Sequence, residues 1–354
     1  MRSLLAEKSS LDMVNLITTE EQGLALADTS LIDRGFDLVR RIGKDQEVCF
    51  VDPGFEKAIR LVLAKPSGNI QRNELTILKM LNASRKEILT IAGIEHLTSL
   101  EDFHCMGNRL QNVAGLGSLK ELEGLNLSHN LLTAIEELAG MEKLRKLHLG
   151  RNRISNIAGL AKLKNLHDLV LSYNRISDIS ALSELSGLEE LHLMGNQIRD
   201  ISPLKRLTNL KVLSLSYNQI QDISPLRELK KLQKIWLRGN QIQELDPLSE
   251  LVGLRVLYLG SNKIQNLEPL GKIAALSDLD LSNNQITEIK PLLQLSNLRE
   301  LILSNNQIRS ITGLTKLTNL AIVELSHNPA IHFVDPLTRL TFERLAGRGC
   351  LIKP

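Results

Sequence analysis

Residues 207–229 read Leu207-Thr208-Asn209-Leu210-Lys211-Val212-Leu213-Ser214-Leu215-Ser216-Tyr217-Asn218-Gln219-Ile220-Gln221-Asp222-Ile223-Ser224-Pro225-Leu226-Arg227-Glu228-Leu229. Leu213-x-Leu215 alternates with period two, as a short strand with one buried face does. Asn218 follows it, Ile220, Ile223 and Leu226 continue the apolar set at wider spacing, and Leu229 opens the next unit. The asparagine recurs every 22 residues at Asn108, Asn130, Asn152, Asn174, Asn196, Asn218, Asn240, Asn262, Asn284, Asn306 and Asn328, without insertion or deletion. A fixed period of this length means a tandem-repeat solenoid, in which each unit buries its apolar face against its neighbours.

The fold class that follows is an α/β solenoid. Successive strands stack as a parallel sheet on the concave side of a right-handed superhelical arc. Eleven strands span on the order of 50 Å at the usual strand spacing. The asparagine amide carries two donors and an acceptor. It is expected to satisfy backbone groups at the turn, in its own repeat and the next. The seventh residue after it is proline at Pro203, Pro225, Pro247, Pro269 and Pro291, and Gly115, Glu137, Gly159, Ala181, Gly313 or Asp335 elsewhere. Proline suits the first position of a short convex 3₁₀ or helical turn. Glutamine follows the asparagine at Gln197, Gln219, Gln241, Gln285 and Gln307, which predicts a stacked amide ladder along one edge.

Working outward, residues 75–96 repeat the apolar spacing with Lys86 in place of asparagine, a degenerate unit suited to an end. Before it, Asp52-Pro53 has the form of a helix start, a capping carboxylate followed by proline. Phe55, Ile59, Val62 and Leu63 share a face of that helix, and a second helix is predicted over about 71–81. Residues 30–42 carry a further helical pattern, with Ser30 as N-cap and Leu31, Ile32, Phe36, Val39 and Ile42 on one side. After Asn328 the period decays into a predicted short helix, a turn at the glycines and a last strand. The expected organisation is an extension over 1–49, a helical cap with a degenerate repeat over 50–96, eleven repeats over 97–338, and a C-terminal cap over 339–354.

Composition narrows the function classes. The net charge is +3 with both signs interspersed, which argues against a nucleic-acid binder with its basic stripe. Cys49, Cys105 and Cys350 are odd in number and scattered, so a reducing compartment is expected. Residues 1–8 turn to charge too soon for a signal peptide, and no apolar run reaches the length of a membrane span. The expected location is therefore cytoplasmic, with no membrane insertion, and the expected state is a monomer. No nucleophile–base set, phosphate loop or dinucleotide loop is present. His104, His148 and His192 lie two repeats apart in one column, about 10 Å between neighbours, too far to share a metal. The chain is therefore read as non-enzymatic, with no cofactor and no metal.

The 22-residue unit, and Asn218-Gln219-Ile220-Gln221-Asp222-Ile223-Ser224-Pro225-Leu226 within it, resembles the leucine-rich repeat of bacterial internalins. The repeat of the nuclear protein-phosphatase-1 regulator is similar. Residues 50–59, from Phe50-Val51-Asp52-Pro53 onward, resemble the helical cap of internalin-like proteins. The resemblance implies a protein partner gripped on the concave face. It also implies two alternatives, a regulatory subunit of an enzyme such as a phosphatase, and a secreted adhesin or effector.

Positions six, four and two before each asparagine are expected on the concave face, with the position one before at its rim. The single Trp and all three Tyr fall there: Trp236, Tyr258, Tyr173 and Tyr217. The six Phe avoid these columns. Trp and Tyr on an open sheet are typical of protein-binding hot spots. The candidate protein-binding residues are Trp236, Tyr258, Arg238, Lys234, Tyr217, His192, Met194 and Tyr173. Asp278, Asp280 and Glu300 form a separate acidic patch toward the C-terminal half.

Overall fold

The computed structural model describes residues 47–328 and 336–353. The helical pattern at 30–42 lies outside them. Among the described residues a 13-stranded parallel sheet runs in strict sequence order from Met80–Asn82 to Leu351–Lys353. Each strand pairs with the next in a register of 22 residues, as in Ile235 against Leu257 and Leu257 against Leu279. At the last step Val323 pairs with Ile352, so the helix Pro336–Ala346 fits between two strands without disturbing the ladder.

The repeat leucines and isoleucines form one continuous core. Leu232, Ile235, Leu237, Ile242, Leu245, Leu248 and Leu251 of one unit are all fully buried, and the pattern holds from unit to unit. Burial of this aliphatic set is what drives stacking, because a single repeat cannot cover its own apolar face.

Every asparagine of the column is buried. The amide of Asn218 donates to the carbonyls of Leu215, in its own unit, and Leu193, in the preceding one, both at 3.0 Å. Its oxygen accepts the N–H of Ile198 at 3.0 Å. The amide thus closes the preceding turn rather than the following one. Its own turn is closed in the same way by Asn240, whose oxygen takes the N–H of Ile220. The residue just before each asparagine has φ between about +54° and +69°, from Gly107 through Tyr173 and Tyr217 to His327. Arg85, before Lys86, does the same, which places residues 75–96 in the repeat geometry.

The convex side is built of short 3₁₀ turns such as Ser202–Arg206 and Ser224–Glu228. Proline occupies their second position, not their first. The first N–H is already engaged: Ser202 donates to Asp200 Oδ1 at 2.7 Å and Ser224 to Asp222 Oδ1 at 2.7 Å. The second N–H of such a turn has no helical acceptor, so proline there loses nothing. The glutamines do not form a single-column ladder. Gln241 accepts from Gln221, Gln285 from Gln265, and Gln219 from Arg199, so each exposed bond crosses between two columns.

At the N-terminal end the helix Pro53–Val62 is capped by Asp52, whose Oδ1 accepts the Phe55 N–H at 3.0 Å. Phe55, Ala58 and Ile59 are buried, whereas Val62 is exposed, against the sequence expectation. The face toward the solenoid is narrower than the apolar pattern, because the helix sits on the edge of the stack. The second predicted helix is confined to Arg72–Leu75. Residues 80–82 are the first strand of the parallel sheet, with Leu81 opposite Phe103, since solenoid pairing outweighs local helix propensity there. Phe50, Phe55 and Phe103 meet edge to face, with centroids 5.5 and 6.4 Å apart, and seal this end.

Candidate functional site

The concave face is the surface on which non-leucine side chains of successive strands stand side by side. Trp236 is in register with Ser214 on one side and Tyr258 on the other. The two rings meet edge to face, with centroids 6.3 Å apart and planes at 88°. This places ring edge against ring face, the favoured electrostatic arrangement. Tyr258 is only 3% exposed and Trp236 is half-buried, so the pair is not the freely exposed patch expected from the alternation.

Arg238 sends Nη1 to Asp280 Oδ2 at 3.2 Å, across the intervening repeat that carries Tyr258 and Gly260. Glycine at 260 makes room: a Cβ there would lie 2.9 Å from the same Asp280 oxygen and 2.8 Å from Ser282 Oγ. Asp280, 1% exposed, also accepts the Ser282 N–H at 2.8 Å. The ion pair thus links three successive repeats. Lys234, two residues before Trp236, is exposed on the same strand.

A second group forms nearer the N-terminal end. Tyr173 donates its hydroxyl to Met194 Sδ at 3.6 Å, and the Arg151 guanidinium lies 4.3 Å over its ring. Both Tyr173 and Tyr217 adopt left-handed backbone, and each is followed one repeat later by glycine. A Cβ at Gly195 or Gly239 would come within 2.7 Å of Tyr173 or Tyr217 Cδ1, so each ring lies down on the next glycine. Met194 is buried at 9%. His192 is half-buried and separated from Trp236 by the Ser214 strand.

The structure therefore unites Trp236, Tyr258 and Arg238, and separately Tyr173 and Met194, while His192 stands apart from both. Its electrostatics belong to a third group. His148 Nε2 lies 2.9 Å from Asp168 Oδ2 on the next strand, and His192 Nε2 lies 3.9 Å from Glu190. Burial lowers the His192 imidazole below its ordinary value, against the pull of Asp168 and Glu190. Burial works to raise Asp168, but the His148 bond and the charges of His148 and His192 hold it below the usual carboxylate range. Among the described residues no three His, Cys, Asp or Glu side chains converge as metal ligands.

The sequence reading missed the Arg238–Asp280 bridge and the role of Gly260. The signal was present as a diagonal: an arginine, then a glycine one repeat on, then an aspartate one repeat further.

A model of leucine-rich repeats, taken two copies at a time, matches residues 120–162, 142–184, 164–206, 208–250, 252–294 and 296–339. The chain belongs to the leucine-rich repeat family. Its repeats are of the internalin type. The solenoid is similar to an internalin, InlF, of Listeria monocytogenes, at 31% identity over 78% of this chain and 89% of that one, with a TM-score of 0.70. A functional domain of InlJ from the same species matches at 25% identity over 78% and 59% of the two chains, with a TM-score of 0.70. A leucine-rich repeat protein of Leptospira interrogans matches at 28% identity over 74% of each, with a TM-score of 0.66. A search of curated sequences returns no match. No described helix of this leucine-rich repeat protein is long and apolar enough to cross a membrane.

Proposed function

We propose that this leucine-rich repeat protein is a non-enzymatic interaction module that holds a protein partner against its concave face. Leucine-rich repeat proteins act as protein-interaction scaffolds in general, and the specific reading concerns where this one binds. The observation that carries it is the edge-to-face pair of Trp236 and Tyr258 beside the Arg238–Asp280 bridge. Aromatic and arginine side chains held in fixed geometry lose little entropy when a partner covers them. Tyr258 and Met194 serve as the buried support, and Trp236, Lys234, Tyr217 and Tyr173 as the accessible contacts.

The test is site-specific photo-crosslinking in extracts of the source organism. A photoreactive residue at Lys234, on the concave face, is expected to trap a defined protein, and one at Lys205, on the convex side, is not. Trp236→Ala is expected to weaken the trapped complex by about 2 kcal/mol, roughly thirtyfold. Equal trapping from both faces, or capture unaffected by Trp236→Ala, refutes the concave-face reading.

A further inference from the structure

One repeat on from Tyr258 toward the C-terminal end, the concave face turns acidic. Asp278 and Glu300 stand in register on adjacent strands, and Asp280 and Glu324 lie one pleat further along. Glu300 is 7% exposed, and its Oε1 has no hydrogen-bond partner. A buried carboxylate oxygen without a donor is costly and rarely left so in a finished structure. Burial and the Asp278 carboxylate beside it both hold the Glu300 carboxyl above the usual range.

The same surface shows what satisfies such a group. Asp280 belongs to this patch and is even more deeply buried, yet it is paired with the Arg238 guanidinium. Among the described residues no donor reaches Glu300 Oε1; Lys353, on the last strand, draws its carboxyl downward through its charge but makes its ion pair with Glu324. Adjacent parallel strands set Asp278 and Glu300 about 4.8 Å apart at the backbone, a spacing across which the donors of one guanidinium can reach both carboxylates.

We propose that Asp278 and Glu300 form the seat for an arginine side chain presented by the protein partner. This rests on the concave-face reading and adds the chemistry of the contact: a basic polypeptide segment, anchored near Trp236 and extending toward the C-terminal end. The arginine would repeat, from outside, the contact that Arg238 makes to Asp280 from inside. Its charge removes the cost of ionising Glu300, so binding strengthens as Glu300 loses its proton.

The experiment uses the full chain and a fluorescently labelled Gly/Ser peptide rich in arginine, followed by anisotropy, with glutamate-rich and lysine-rich peptides for comparison. The arginine peptide is expected to bind best and the glutamate peptide not at all. Asp278→Asn with Glu300→Gln is expected to weaken arginine-peptide binding at least about tenfold while keeping or raising the melting temperature. Binding should also fall with added salt. Equal binding by the parent and the double variant overturns the proposal. Binding that appears only after Arg34, Arg40 and Arg41 are replaced by serine also overturns it, and assigns the seat to the chain's own N-terminal segment. A melting shift with calcium or magnesium, lost in the double variant and unaccompanied by peptide binding, overturns it in favour of an ion. Absence of peptide binding while Lys234 still crosslinks a partner refutes the arginine seat alone. Absence of both refutes the concave-face reading as well.

Discussion

At the scale of the residue, the asparagine column governs the fold. Each amide closes two carbonyls and one N–H that belong to two different repeats, all in a buried turn. Asn218→Ala leaves the Ile198 N–H and the carbonyls of Leu193 and Leu215 without their partner. Each orphaned buried group costs about 1–3 kcal/mol. Chemical denaturation of Asn218→Ala is therefore expected to show a loss of at least about 3 kcal/mol, with no comparable loss for Gln219→Ala on the exposed edge. His192 gives a prediction in pH. Its folded-state value lies below the unfolded one, so the native state binds fewer protons in the window between them. Its contribution to stability is present above the unfolded pKa of about 6.5 and is lost as pH falls through the folded value. His192→Asn should flatten the decline in melting temperature between neutral pH and mild acid. A decline of unchanged slope would show that His192 is not its source.

At the scale of the element, the N-terminal cap depends on a single carboxylate with two tasks. Asp52 Oδ1 caps the helix at Phe55, and Oδ2 accepts the Leu89 N–H of the degenerate repeat at 2.7 Å. Gly54 allows the approach, because a Cβ there would lie 2.4 Å from the Lys86 carbonyl oxygen. Asp52→Ala removes a cap worth about 1 kcal/mol and a tertiary bond of similar size. Since each unit packs mainly on its neighbours, the loss should be local. Amide exchange is expected to accelerate over the cap helix and residues 75–110 while the repeats around Asn218 keep their protection. Uniform acceleration along the whole chain would contradict the nearest-neighbour picture. Three of the Phe belong to this scale too. Phe50, Phe55 and Phe103 are where a helix must be fitted to a stack of strands, a gap that aliphatic repeat positions do not fill.

At the scale of the whole molecule, the fold was legible because the period repeats. One strand–turn–turn unit, read eleven times, averages out every local irregularity; following the period to its start gave the degenerate repeat, whereas the cap helix was legible from its Asp52-Pro53 start. The candidate face was legible as columns: the alternation placed Trp236, Tyr258 and Arg238 on one surface. It did not show how deeply each would lie. The packing of long side chains across neighbouring repeats decided that Tyr258 and Met194 lie buried. It also decided that Asp280 is already paired with Arg238 and that Glu300 Oε1 has no donor. The 22-residue period by itself determined register, because a slip of one residue would turn every leucine to solvent. Only the tertiary structure determined which carboxylate on the concave face has a partner, because that depends on contacts 42 residues apart in sequence that follow no repeat.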